Sequence, residues 1–260
     1  MKKRIFILTL ILSLVCRLPA GAYWAENESD PSNAVGETAL GLLTADALRL
    51  TTGSDVAIVV PAELGAALDT AAITQEALAQ SYPQDLAVMQ TDIPVRSLWQ
   101  LLEQMLSCLT LTDTGLVNNR RSDITRFPQV SGLRFVYDPA QKAGSRLLSL
   151  ATEDGTVLDA EDEETTLTLC GSLTLLSGGY GGPAAESVRP AGTQRELMME
   201  FFSAATVDEA PQDGRAILMT DRSHSGLVLA GRIARWTIAA GLLSAGILFL
   251  GSDRKRRQFP

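Results

Sequence analysis

The stretch FPQVSGLRFVYD, Phe127 to Asp138, decides how the rest of the chain is read. It holds a proline entry, a small-residue turn at Ser131 and Gly132, and the run LRFVY, whose Leu133, Phe135 and Val136 predict a strand buried on at least one face. Upstream, ETALGLLTADALRL (Glu37 to Leu50) places Leu40, Leu43, Ala47 and Leu50 on one helical face. Downstream, LLSGGYGG (Leu175 to Gly182) is a glycine-rich turn leaving a threonine- and leucine-rich strand.

The apolar pattern on either side predicts a helix over Glu37–Thr51 and a strand over Asp55–Val60. A helix follows over Thr74–Gln80, with Thr74 as its cap ahead of Gln75 and Glu76. Leu86–Gln90 reads as a strand, and Pro94 opens a long amphipathic helix to Leu109 with Leu98, Leu101, Leu102 and Met105 facing inward. Strands over Arg146–Glu153 and Thr165–Leu169 and a helix over Arg195–Ala205 complete the set. Asp154-Gly155 offers a hairpin turn. The mixture gives an α/β domain. The acidic run Glu161–Glu164 reads as a solvated loop, with a calcium site as the alternative.

The two ends carry address signals. Lys2, Lys3 and Arg4, an apolar stretch from Ile5 to Cys16 and the Ala20-Gly21-Ala22 site predict a signal peptide over residues 1–22. Residues 23–34 and 208–226 read as polar linkers around a domain over 35–207. Residues 227–251 form a hydrophobic run, interrupted by Arg232 and Arg235, that is expected to cross the membrane with the latter snorkelling beside Trp236. The basic tail 252–260 would then stay in the cytoplasm and the main domain outside. Ala240-Gly241 and Ala245-Gly246 offer small-residue contacts if that helix pairs.

Of 22 basic residues 12 fall in the outer part, Tyr23 to Val228, against 29 of the 30 acidic ones, a balance of −17. Such a surface repels polyanions, which excludes nucleic acid as a partner. Arg120, Arg121 and Arg126 form the one basic cluster of that part, read as an anion site or a solvated loop. Once the leader is removed, Cys108 and Cys170 remain, suited to a disulfide or to two buried small hydrophobes. The single histidine, His224, sits in a polar linker. No H-x-x-x-H, C-x-x-C or nucleophile–base pair is present, so the residues call for no metal and no cofactor.

The ordered motifs resemble the C-terminal domain of the 5'-nucleotidase family. Glu37, Gly41, Ala45, Asp46 and Ala47 match its E-x-x-x-G-x-x-x-A-D-A helix. Gln129 to Arg134 with Tyr137 and Asp138 match its Q-V-S-G-L-R strand and Y-D end, and Gly178, Gly179 and Gly181 its G-G-x-G loop. The likeness spans roughly residues 33–222. It implies layered mixed sheets covered by helices, and a domain that supplies substrate binding to a metal-binding half. In the family an N-x-G-G-I-R turn brings an arginine, while P-F-x-N and G-G-D-G-F turns bring two aromatic walls. Here VVPAELGAALD puts Gly65 at the arginine position and Ala62-Glu63 in place of the glycines. YPQDL puts Gln84 and Leu86 at the second turn, and GGYGG puts Tyr180 and Gly182 at the third.

Two functions follow from this. One is a membrane-anchored, non-catalytic binding or interaction module with an eroded nucleotide pocket. The other is a nucleotide-binding subunit that works with a separate metallophosphatase chain in nucleotide catabolism. For either, Gly178, Gly179, Tyr180 and Gly181 are the candidate ligand residues, with Tyr180 as half of a stacking site for a nucleoside or nucleotide. The competing reading of the same residues is a turn in which Tyr180 covers its own core.

Overall fold

A computed structural model describes residues 35–68, 73–112, 115–118, 126–204 and 214–219. The expected leader (1–22), the linker 23–34, the hydrophobic run 227–251 and the basic tail 252–260 lie outside them, as do Arg120, Arg121 and His224. Among the described residues no helix is long and apolar enough to cross a membrane.

Strand β1 (Val56–Val59) explains the layering. All four of its residues are buried, and they alternate between two cores. Val56 and Ile58 face a core shared with helix α3 (Val95–Leu106), and Ala57 and Val59 face helix α1 (Ala39–Thr52). A strand buried on both faces reads as a continuous apolar run, and VAIVV is one. On the α1 side the core is completed by α2 (Gln75–Ser81) and α5 (Gln194–Ala204). On the other side α3 inserts Leu98, Leu101, Leu102 and Met105 between two sheets, as its periodicity predicts.

The first sheet runs β10–β2–β9–β1–β5, with β2 over Ala87–Pro94, β5 over Gln129–Ser131, β9 over Thr166–Ser172 and β10 over Arg189–Thr193. Only β1 and β9 are parallel in it; the other pairs are antiparallel. The second sheet runs β11–β6–β7–β8, with β6 over Leu133–Tyr137, β7 over Leu147–Thr152, β8 over Val157–Leu158 and β11 over Ala216–Leu218. A separate hairpin joins β3 (Leu109–Thr112) to β4 (Gly115–Asn118). The layered mixed sheets covered by helices are the expected architecture.

FPQVSGLRFVYD is two strands rather than a turn and one strand. Gln129–Ser131 pairs with β1 in the first sheet, and Leu133–Tyr137 pairs with β7 in the second. The crossing falls at Gly132, with φ +81°, where a Cβ would collide with the Asp55 carbonyl oxygen. Phe127, Phe135 and Tyr137 then meet as an aromatic cluster, with ring centroids 5.6–6.3 Å apart.

Other differences have local causes. The helix expected to reach Leu109 ends at Leu106, because Leu109 enters the β3–β4 hairpin. Strand β2 outruns its expected end at Gln90, since it pairs with β9 from Val88 through Pro94. Ala216 to Leu218, expected as linker, supplies β11 beside β6. The hairpin at Asp154-Gly155 is present, with Gly155 at φ +92° between β7 and β8. Glu161 and Glu163 of the acidic loop are exposed and pair with Arg96. Among the described residues no cluster of His, Cys, Asp and Glu could hold a metal ion.

Candidate functional site

The registers place three turns at one end of the first sheet. Residues after β1 and after β9 lie at the carboxyl ends of the parallel pair, where open α/β sheets bind ligands. Residues before β2 reach the same end, since Val88 stands opposite Ser172. So do those before β5, since Gln129 stands opposite Val59. This end therefore gathers Pro61–Gly65, Tyr82–Leu86, Gly178–Gly182 and Arg126.

Each turn is closed by its own chain. The first is a 3-10 turn, Pro61–Glu63, with proline at its start. The Gly65 N–H donates to the Ser81 carbonyl at 2.8 Å, which draws the first turn onto the second. The second turn is held by Arg195, whose Nε donates to the Tyr82 carbonyl at 2.9 Å and whose N–H donates to Asp85 Oδ1 at 3.0 Å. Gln84 is exposed, and the Tyr82 ring is fully buried with its hydroxyl 2.8 Å from Thr44 Oγ1.

The third turn carries the candidate ligand residues. Gly178 and Gly181 adopt φ +81° and +85°, a region that favours glycine. A Cβ on Gly179 would lie 2.7 Å from Thr174 Cγ2, and one on Gly182 would press on Leu101. Tyr180 is 8% exposed and belongs to the core between the sheets. Its hydroxyl donates to Glu63 Oε1 at 3.0 Å, and its carbonyl accepts from Arg126 Nη1 at 2.9 Å. The glycines shape the turn, and the tyrosine that could have walled a stacking site is packed into the core.

Glu63, from the first turn, is 2% exposed. The Ser172 hydroxyl donates to the same carboxylate oxygen as Tyr180 does. Among the described residues no cation forms an ion pair with it. Burial pushes its pKa above the ordinary 4.5, against the lowering effect of the Ser172, Tyr180 and Val60 hydrogen bonds. Burial likewise raises the Tyr180 phenol, and the neighbouring Glu63 raises it further. The sequence marks Glu63 only as a replacement for a glycine; its partner in the third turn lies 117 residues away.

The motif residues of α1 and FPQVSGLRFVYD serve another purpose. Gly41 leaves room for Gln129, whose Oε1 accepts from the Thr38 N–H at 2.8 Å and whose Nε2 donates to the Gly36 carbonyl at 2.9 Å. Asp46 accepts the Ser131 hydroxyl at 2.6 Å and both Arg215 Nη atoms at 2.8 and 2.7 Å. Glu37 accepts the N–H groups of Gly214, Arg215 and Ala216 at 2.7–2.8 Å. Arg215 also donates to the Val130 carbonyl at 2.7 Å, on the edge strand of the first sheet. Glu37, Asp46, Gln129 and Ser131 thus form a seam that joins β11 and the second sheet to α1 and the first.

Cys108 and Cys170 are both buried and free, one in each core. Burial raises both thiols, which suits inert small hydrophobes rather than reactive groups.

The family model described as "5'-nucleotidase, C-terminal domain" matches residues 20–186. Among solved structures, the chain is similar to a 5'-nucleotidase precursor from Thermus thermophilus, with 20% identity and a TM-score of 0.58 over 85% of this chain and 43% of that one. It is also similar to the NAD nucleotidase of Haemophilus influenzae (13% identity, TM-score 0.55, 74% of this chain and 36% of that one). A sulfate thiohydrolase from Thermus thermophilus gives 15% identity and a TM-score of 0.54, over 71% and 32% of the two chains. At these identities the likeness is one of fold, and the chain spans less than half the length of these proteins. No curated protein sequence matches.

Proposed function

Because the chain belongs to the 5'-nucleotidase C-terminal domain family, we propose that it is a non-catalytic binding or interaction module built on that domain, with its nucleotide end rebuilt and closed. The observation that carries this reading is the Glu63–Tyr180 pair. At the end of the sheet where two aromatic faces and an arginine would engage a nucleotide, the chain offers a buried carboxylate and a tyrosine turned into the core. A buried carboxyl group with no cation pairing with it among the described residues gives a phosphate no favourable partner there, and the outer part's balance of −17 repels one. What the module would then present to a partner is its acidic outer surface, which favours a basic protein over an anion.

The apolar run 227–251 and the tail 252–260 support a single-pass anchor, with the main domain outside the cell membrane and the carboxyl terminus in the cytoplasm. Protease added to intact cells should degrade the domain and spare a tag placed after Pro260. Loss of the tag overturns the topology.

Family membership favours a second reading, in which the domain supplies nucleotide binding to a separate metallophosphatase chain. Calorimetric titration of the full chain in detergent with adenosine and AMP decides between the two. No heat at millimolar ligand, from a folded protein, is the expected result. Micromolar binding that weakens in Tyr180→Ala would establish the nucleotide-binding subunit instead.

A further inference from the structure

The third turn is tied to the first through the Glu63 carboxyl group. One carboxylate oxygen of Glu63 receives both the Tyr180 and the Ser172 hydroxyls. Few groups touch that carboxylate or the turn it holds. The first turn contributes Glu63 itself, and the start of the short helix α4 (Leu173–Leu176) contributes the uncharged Ser172 as its N-cap. Helix α3 contributes Leu101 and Gln104 against the glycines of the third turn. The chain entering β5 contributes Arg126, whose Nη1 is spent on the Tyr180 carbonyl and whose Nε is buried without a hydrogen-bond partner. No cation among the described residues pairs with Glu63. With the turn closed, an ionised Glu63 is therefore a charge out of water with neutral donors, the two hydroxyls and a backbone hydrogen bond from Val60. With the turn open, water solvates it. Gly178 and Gly181, both in the left-handed region, flank the tyrosine as pivots.

We propose that Tyr180 is a plug at this end of the sheet, latched through its hydroxyl to Glu63, and that the latch loosens as pH rises. The proposal rests on the reading of this end of the sheet as its ligand end, and it adds that the closure is conditional. The sign follows from burial. Glu63 in the closed turn holds its proton above the ordinary 4.5, so closure is favoured fully below that value and is progressively lost as pH climbs through the raised one.

Amide hydrogen exchange of residues 177–182 in the full chain tests it, with protection factors corrected for the intrinsic pH dependence of exchange. In the wild type, protection should fall by up to about tenfold per pH unit between 4.5 and the raised value, and then level off. In Glu63→Gln, which keeps an acceptor oxygen and carries no charge, the dependence should vanish. A flat wild-type profile, or the same slope in both proteins, overturns the latch.

A second arm does not depend on how Glu63→Gln folds. Tyr180→Ala should be stabilised by p-cresol, which returns the ring and its hydroxyl to the vacated space, and less by toluene, which returns only the ring. The wild type, whose space is filled, should gain nothing from either. Equal stabilisation by the two compounds, none in the variant, or the same gain in the wild type overturns the proposal. Neither arm uses a nucleoside, so a nucleotide titration that contradicts the function proposed above leaves these results standing, and the reverse holds too.

Discussion

The half-buried seam around Asp46 and the buried turn around Glu63 both set carboxylates beside serine hydroxyls, yet they differ in what balances the charge. Asp46 meets the Arg215 guanidinium in a two-pronged contact, and Glu37 is satisfied by three successive N–H groups. Glu63 receives two hydroxyls and a backbone hydrogen bond from Val60, and among the described residues no cation pairs with it. A matched charge holds a structure together over a wide pH range, whereas an unmatched one makes its surroundings conditional. The family's most recognisable residues lie in the matched region. The turns that the sequence reading sets against the family's ligand-binding turns lie in the unmatched one.

Breaking the matched side should cost most. Arg215→Ala leaves Asp46 with a hydroxyl and no cation, and detaches the side chain that caps the Val130 carbonyl. It should lower stability by about 3 kcal/mol in urea denaturation, and a change near zero would mean that the seam contributes nothing net. Gly41→Ala drives a methyl group into Gln129 and should cost about 2 kcal/mol. Gly41→Ala combined with Gln129→Ala should recover part of that loss, since the second change removes the obstructing side chain.

The unmatched side should give a smaller effect whose sign is set by pH. Glu63→Gln should unfold at the same urea concentration as the wild type below pH 4.5 and at a higher one above Glu63's raised value. A variant less stable at alkaline pH would show that the carboxylate charge helps the fold. Smallest of all, Arg96→Ala removes exposed pairs with Glu161 and Glu163 and should leave the urea midpoint within error of the wild type.

The difference between the regions also explains what the sequence made legible. The apolar runs of β1, α1 and α3 announce their elements, because burial on one face or two leaves a periodic mark. The split of FPQVSGLRFVYD is hidden, because Ser131 and Gly132 read as a turn in front of one strand until β1 is there to pair with Gln129, Val130 and Ser131. Strand β11 is hidden for a similar reason: three residues with no pattern of their own are placed by Glu37, which holds Gly214 to Ala216 and lies 178 residues away from Arg215. At the candidate site the glycine turn was visible and the direction of Tyr180 was not. Whether its ring faces solvent or core depends on a hydroxyl partner 117 positions distant.

The crossing at Gly132 also bears on the order in which the molecule assembles. On its far side β6, β7 and β8 follow one another through short connections, so they close small loops. On its near side β1 must find β5 and β9, which closes loops of roughly 75 and 115 residues. Local pairings form faster than distant ones, so the three-strand meander should appear early, with Gly132 carrying β5 to an edge that does not yet exist. Pulse-labelled exchange during refolding should then protect Phe135 and Leu150 before Ile58 and Leu169. The reverse order would show that the distant pairings nucleate the fold.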